Sequence, residues 1–163
     1  MIFEKFIELE VKYVDDEYKL LEQNTIDLYN IEKIQDDFYD ELRYIKLLQC
    51  KYIGLEIPDM TVNYEKITHN NYNTYDPIYN NVEQRKETED ELMELYYKMK
   101  RIFDNSLSYM EKIVFIDFFI KRSGRESIKN RLRIGNERFK LIKTSCLVKF
   151  ALGLHFENIN KED

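Results

Sequence analysis

The sequence predicts an all-α protein, an N-terminal helical hairpin followed by a C-terminal helix-turn-helix. Three observations carry that reading. The 163 residues include only four Gly and two Pro, against a usual share of about one residue in eight, so the elements are long and the breaks few. Apolar positions recur at helical spacing through most of the chain. A Ser-x-x-Glu start signal and isolated Gly stops punctuate the runs. With 44% apolar and 34% charged residues, the chain is too apolar to be disordered and too charged to be embedded in a membrane.

The first stripe is Ile7, Val11, Val14, Tyr18 and Leu21, one apolar face with acids opposite. Asn24 is the expected N-cap of a second helix, with Asp27 facing its positive end. There Ile31, Ile34, Phe38, Leu42, Ile45, Leu48 and Tyr52 repeat over about three heptads, up to Gly54 with Pro58 beyond. Residues 1–54 are therefore expected to form a hairpin or a coiled-coil homodimer seam; pairing within and between chains have the same pattern.

Residues 55–81 read as a polar linker. Asn63, Asn70, Asn71, Asn73, Asn80 and Asn81 are interleaved with Thr and Pro, and Tyr64, Tyr72, Tyr75 and Tyr79 are spread among them. Residues 82–163 read as a helical C-terminal domain. Its first helix runs from about Val82 to Phe103, with Leu92, Leu95, Met99 and Ile102 on one face. Ser108-Tyr109-Met110-Glu111 is a capping box. It opens a run apolar all round, Ile113 to Ile120, which belongs in the centre of a domain. Asp117 alone interrupts that run. A buried carboxylate needs a partner, and an Arg of the following basic block is the expected one.

The formal net charge is −6, but it is segregated. Between Lys121 and Lys149 ten basic residues face two acids, a net +8, while the remainder carries −14. An acidic body with one compact basic block is the footprint of a polyanion site. Within the block, residues 125–131 form a short helix, Arg133-Ile134-Gly135 a tight turn, and Asn136 opens a second helix with Phe139, Ile142, Cys146 and Phe150 inward. Ile128, Leu132, Ile134, Phe139 and Ile142 are the apolar contacts a helix-turn-helix needs. The candidate base-reading face is Asn136, Glu137, Arg138, Lys140, Leu141, Lys143 and Thr144. Asn can pair with adenine, Arg with guanine and Glu with cytosine. Arg122, Arg125, Lys129, Arg133 and Lys143 are the candidate phosphate contacts.

The stretch Leu107-Ser108-Tyr109-Met110-Glu111-Lys112-Ile113-Val114 resembles the Leu-Thr-Pro-x-Glu-Arg-x-Val opening of region four of bacterial sigma factors. The likeness continues without a gap from Glu126 to Phe150, covering roughly the last third of the chain. It departs at Lys129, where a small residue is usual, at Arg133, where the turn has Gly, and at Gly135, where Ser caps the recognition helix. The layout of the whole chain resembles the late-gene transcription regulators of Gram-positive phages (the ArpU, RinA and LtrC kind). That resemblance implies a DNA-binding activator acting with host RNA polymerase, in the cytoplasm of a bacterial host.

Other chemistry finds little support. No stretch approaches the roughly 18 uncharged residues of a membrane span, and Glu4, Glu8 and Glu10 do not fit a signal peptide. Cys50 and Cys146 lack metal or disulfide-scaffold spacing. His69 and His155 are the only histidines, and the four glycines are isolated, so neither a catalytic base nor a phosphate loop is legible. Asp15-Asp16, Asp36-Asp37 and Glu89-Asp90-Glu91 read as charged helix faces. The expectation is a non-enzymatic protein without metal or cofactor that binds double-stranded DNA. The competing readings are a DNA-packaging recognition subunit of the phage small-terminase kind, which usually carries its DNA-binding module first, and an interaction protein without DNA binding.

Overall fold

The computed structural model describes residues 2–55 and 77–161, and within them every regular element is helical. In chain order these are α1 (Ile2–Ile7), a 3-10 turn (Glu17–Lys19), α2 (Gln23–Ile26), α3 (Ile31–Gly54), α4 (Pro77–Ser106), α5 (Tyr109–Val114), α6 (Arg125–Leu132) and α7 (Asn136–Gly153). A π-helical turn, Phe115–Ile120, extends α5.

The first expected helix does not form. Only Ile2–Ile7 is α-helical, and Ile2 and Phe6 are buried there, whereas Ile7, Val14 and Tyr18 of the expected stripe are exposed. Val11, Tyr13, Val14, Asp15 and Asp16 are weak helix formers, and of the stripe only Val11 and Leu21 pack, partly buried, against the core. The helix after it also starts later than expected. Asn24 lies inside the single turn of α2, and the N-cap of α3 is Asn30, whose side chain accepts the Lys33 N–H at 3.2 Å.

From there the periodicity holds. Ile34, Phe38, Leu42, Ile45 and Leu48 are all buried on one face of α3. The face is turned into the chain's own core rather than toward a second copy, with Phe38 and Ile45 fully inaccessible. Of the two pairings the pattern left open, the stripe takes the one within the chain. The long partner of α3 is α4, which runs antiparallel to it: Arg85 lies 4.4 Å over the Tyr52 ring, and Tyr44 bonds Glu91 further along.

Helix α4 begins at Pro77, inside the expected linker. Proline suits a first helical position, where no N–H is needed. The tyrosines Tyr64, Tyr72 and Tyr75 and the linker His69 lie outside the described residues. Nor do the stretches before and after that segment pack as two units. Buried residues from Ile2 to Leu48 and from Leu92 to Ile159 form one hydrophobic cluster. At its centre the Phe38 ring lies 5.0 Å from Phe119 and 5.2 Å from Phe150, and Phe115 stacks on Phe150 at 4.7 Å.

The capping box forms as read. The Glu111 N–H donates to Ser108 Oγ at 3.3 Å, and the Ser108 N–H donates to Glu111 Oε1 at 3.1 Å. Glu111 does more than cap, because it is wholly buried and Lys149 Nζ approaches its Oε1 at 2.6 Å. Lys149 also donates to the backbone carbonyls of Lys19 and Ser106, at 2.5 and 2.8 Å. One ammonium thus ties α7 to α5, to the end of α4 and to the N-terminal segment.

Candidate nucleic-acid interface

Helices α6 and α7 meet across Arg133, Ile134 and Gly135, the three residues expected to make the turn. Ile128, Phe139, Ile142, Cys146 and Phe150 are buried beneath them, and Leu132 and Ile134 are partly buried against the same core. One departure from the sigma-factor pattern falls where the backbone itself favours glycine. Arg133 has φ 56° and ψ 50°, the left-handed conformation for which glycine is the ordinary choice. Arginine there costs about 1 kcal/mol, so a function of its charge is one reason to keep it. Arg133→Gly is expected to raise stability by up to about 1 kcal/mol, measured by urea denaturation. A destabilised variant would show that the Arg side chain holds the turn.

The expected site residues divide into three groups. Arg122, Arg125, Arg133, Asn136, Glu137 and Lys140 are exposed, with Leu141 and Lys143 partly so. Arg125, Asn136, Glu137, Lys140 and Lys143 line one open groove of 300 Å³. The Arg125 guanidinium sits 5.4 Å over the Phe139 ring, and the Lys143 ammonium 5.3 Å over Phe118. Burial, then the charges of Arg125 and Lys140, hold the Lys143 pKa below its ordinary value. Three cations therefore crowd one another beside the start of α7, an arrangement that an anion relieves.

A second group is already engaged. Lys129 is mostly covered and bonds Glu126 at 2.9 Å and the Asn136 side chain. It braces α6 against α7, which accounts for a long side chain where a small one is usual. Arg138 pairs with Glu17 at 2.7 Å, so the N-terminal segment holds the residue expected to read guanine. Third, Thr144 is buried and its hydroxyl donates back to the Lys140 carbonyl at 2.8 Å. It is not a base-reading residue here, because α7 is covered on all sides from Thr144 to Val148.

Asp117 has the partner its burial demands. Arg131 Nη1 bonds its Oδ2, and Lys121 lies 3.9 Å from its Oδ1. This ion pair fastens α6 to the π-helical turn and withdraws Arg131 from the set of free bases. Among the described residues, Arg122, Arg125, Arg133, Lys140 and Lys143 are the cations of the block that make no ion pair.

What sequence reasoning missed is the N-terminal segment beside α7. The Leu21 N–H donates to Ser145 Oγ at 3.0 Å, and α2 lies across a 570 Å³ cleft lined by Gln23, Asp27 and Glu32 on one side and Glu137, Lys140 and Leu141 on the other. The run Asp15-Asp16-Glu17, opposite in sign to the basic block, was the only signal for it. Among the described residues no three metal-ligating side chains converge, and no helix is long and apolar enough to cross a membrane. No protein-family model, curated protein or solved structure matches this chain.

Proposed function

We propose that the protein is a sequence-specific DNA-binding transcriptional regulator that presents the first turns of α7 to the major groove of duplex DNA. The observation that carries this reading is the convergence of Arg125, Lys140 and Lys143, without an ion pair, beside Asn136 and Glu137 at the exposed start of α7, which follows α6 across a three-residue turn. In such modules the N-terminal residues of the second helix meet base edges and flanking cations meet phosphates. Asn136, Glu137 and Lys140 supply the first kind of contact; Arg122, Arg125, Arg133 and Lys143 supply the second. The resemblance to sigma region four and to phage late-gene regulators extends the reading to an activator of phage late genes acting with host RNA polymerase.

Salt dependence tests it. Each phosphate neutralised releases condensed counterions, so log K falls by about 0.9 per contact for each unit of log[salt]. With five unpaired cations available, a slope of about −4 is expected for a monomer, read by fluorescence anisotropy of a labelled duplex. A slope shallower than about −2 overturns the reading. It would favour a second one, an interaction protein that uses this module to bind another regulator, which the burial of Thr144 and the engagement of Arg138 by Glu17 support.

A further inference from the structure

We propose that residues 17–27 are an autoinhibitory strap, which binds the flank of α7 that carries Arg138, faces its outward side across a cleft, and competes with DNA there. The inference rests on the DNA-binding reading above. Phe139, Ile142, Cys146 and Phe150 fix the inward face of α7. At 100° per residue, Glu137, Leu141 and Thr144 then point the opposite way, toward the side a major groove would meet. That side is where α2 lies, across the cleft from Glu137, Lys140 and Leu141.

The strap is pinned at both ends, and between them it is held by polar contacts and by one buried side chain, Ile26. At its start, Asp16 Oδ1 accepts the Tyr109 N–H at 2.9 Å. Beyond its end, the Asn30 N–H donates to the Ile159 carbonyl at 2.7 Å, and the Lys161 N–H to the Leu28 carbonyl at 3.0 Å. Between these pins it meets α7 through polar contacts: Glu17 with Arg138, the Leu21 N–H with Ser145, and the Lys19 carbonyl with Lys149. Its only regular structure is one 3-10 turn and the four residues of α2, and Tyr18 is 81% exposed. Ile26 is its one buried apolar side chain, with Leu20 and Leu21 partly buried, and so short an element opens at lower free-energy cost than the long helices of the core.

Its chemistry imitates the ligand it excludes. Glu17, Glu22 and Asp27 stand against a single base, Lys19, and the Glu17 carboxylate takes the place on Arg138 that a phosphate or a guanine edge would take. Duplex DNA and the strap present negative charge to the same helix, so one must leave for the other to dock.

The test compares wild type with Glu17→Gln and Glu22→Gln by duplex anisotropy at fixed salt, with hydrogen exchange over residues 17–27. Glu17 is 62% exposed at its side chain, so its substitution leaves the fold intact. A half-exposed ion pair is worth up to a few-fold in an equilibrium, so Glu17→Gln is expected to tighten binding about two- to fivefold. Glu22→Gln removes an equal charge without touching Arg138 and is expected to give less than half that gain. Duplex should accelerate exchange at the Leu21 amide. Four results overturn the strap. Equal affinity of wild type and Glu17→Gln is one; weaker binding by Glu17→Gln, which would make Glu17 a positioning residue for Arg138, is another; either leaves the DNA reading standing. Equal gains from both variants would assign the effect to bulk charge. Failure of all three proteins to bind any duplex overturns the DNA reading, and the strap with it.

Discussion

Ile45→Asp is expected to leave no cooperatively folded protein. Ile45 is fully inaccessible in the face of α3 that packs on the shared core. Truncating a buried Ile costs about 2–5 kcal/mol, and placing an unpaired carboxylate in the same space adds several more. Domains of this kind are stable by about 5–15 kcal/mol in total, so the substitution consumes most or all of it. Circular dichroism should show no sigmoidal thermal transition, and gel filtration an expanded or aggregated chain. A variant that stayed helical and compact while halving an oligomer's mass would restore the dimer seam.

The second large effect is at Lys149. Lys149→Met leaves the buried Glu111 carboxylate without a counter-charge and two backbone carbonyls without their donor, a loss of about 3–5 kcal/mol at neutral pH. Glu111 Oε2 already has no partner, and the Ser108 N–H on Oε1 is the one remaining donor. The deficit should depend on pH. Burial raises the Glu111 pKa above its ordinary 4.5, against the opposing pull of Lys149 and of the Ser108 N–H. Without Lys149 it rises further. Between 4.5 and the folded value, the native state binds the proton more tightly than the unfolded one, so stability increases as pH falls through that window. Urea denaturation between pH 7 and pH 4.5 should therefore show Lys149→Met recovering part of its deficit relative to wild type. A deficit constant over that range would mean that the loss comes from the carbonyls and packing alone.

Both predictions depend on contacts between residues far apart in the sequence, and these were the least legible. The basic block shows why. Ten cations between Lys121 and Lys149 look alike in the sequence, yet Arg131, Lys129, Arg138 and Lys149 are each committed to a carboxylate. Only Asp117 had revealed its need for a partner beforehand, because a lone acid in an apolar run must be compensated wherever the chain places it.

Local order was determined by the sequence alone. The α3 stripe, the Ser108 capping box, the turn at Arg133 to Gly135 and the inward face of α7 all form where residue spacing and capping chemistry put them. These signals act within a few residues, through helix periodicity and through hydrogen bonds to neighbouring backbone groups. The tertiary structure decided what those faces meet. A stripe of the same quality over Ile7 to Leu21 did not become an α-helix: Val11 and Leu21 reach the core while Ile7, Val14 and Tyr18 stay exposed, and several of its residues favour helix weakly. The α3 stripe turned inward onto Phe115, Phe119 and Phe150 rather than toward a second copy. The strap over α7 was decided in the same way. Periodicity fixes that a helix has an apolar face or a charged one, but burial free energy is non-directional, and the choice among complementary surfaces is made only when the whole chain packs.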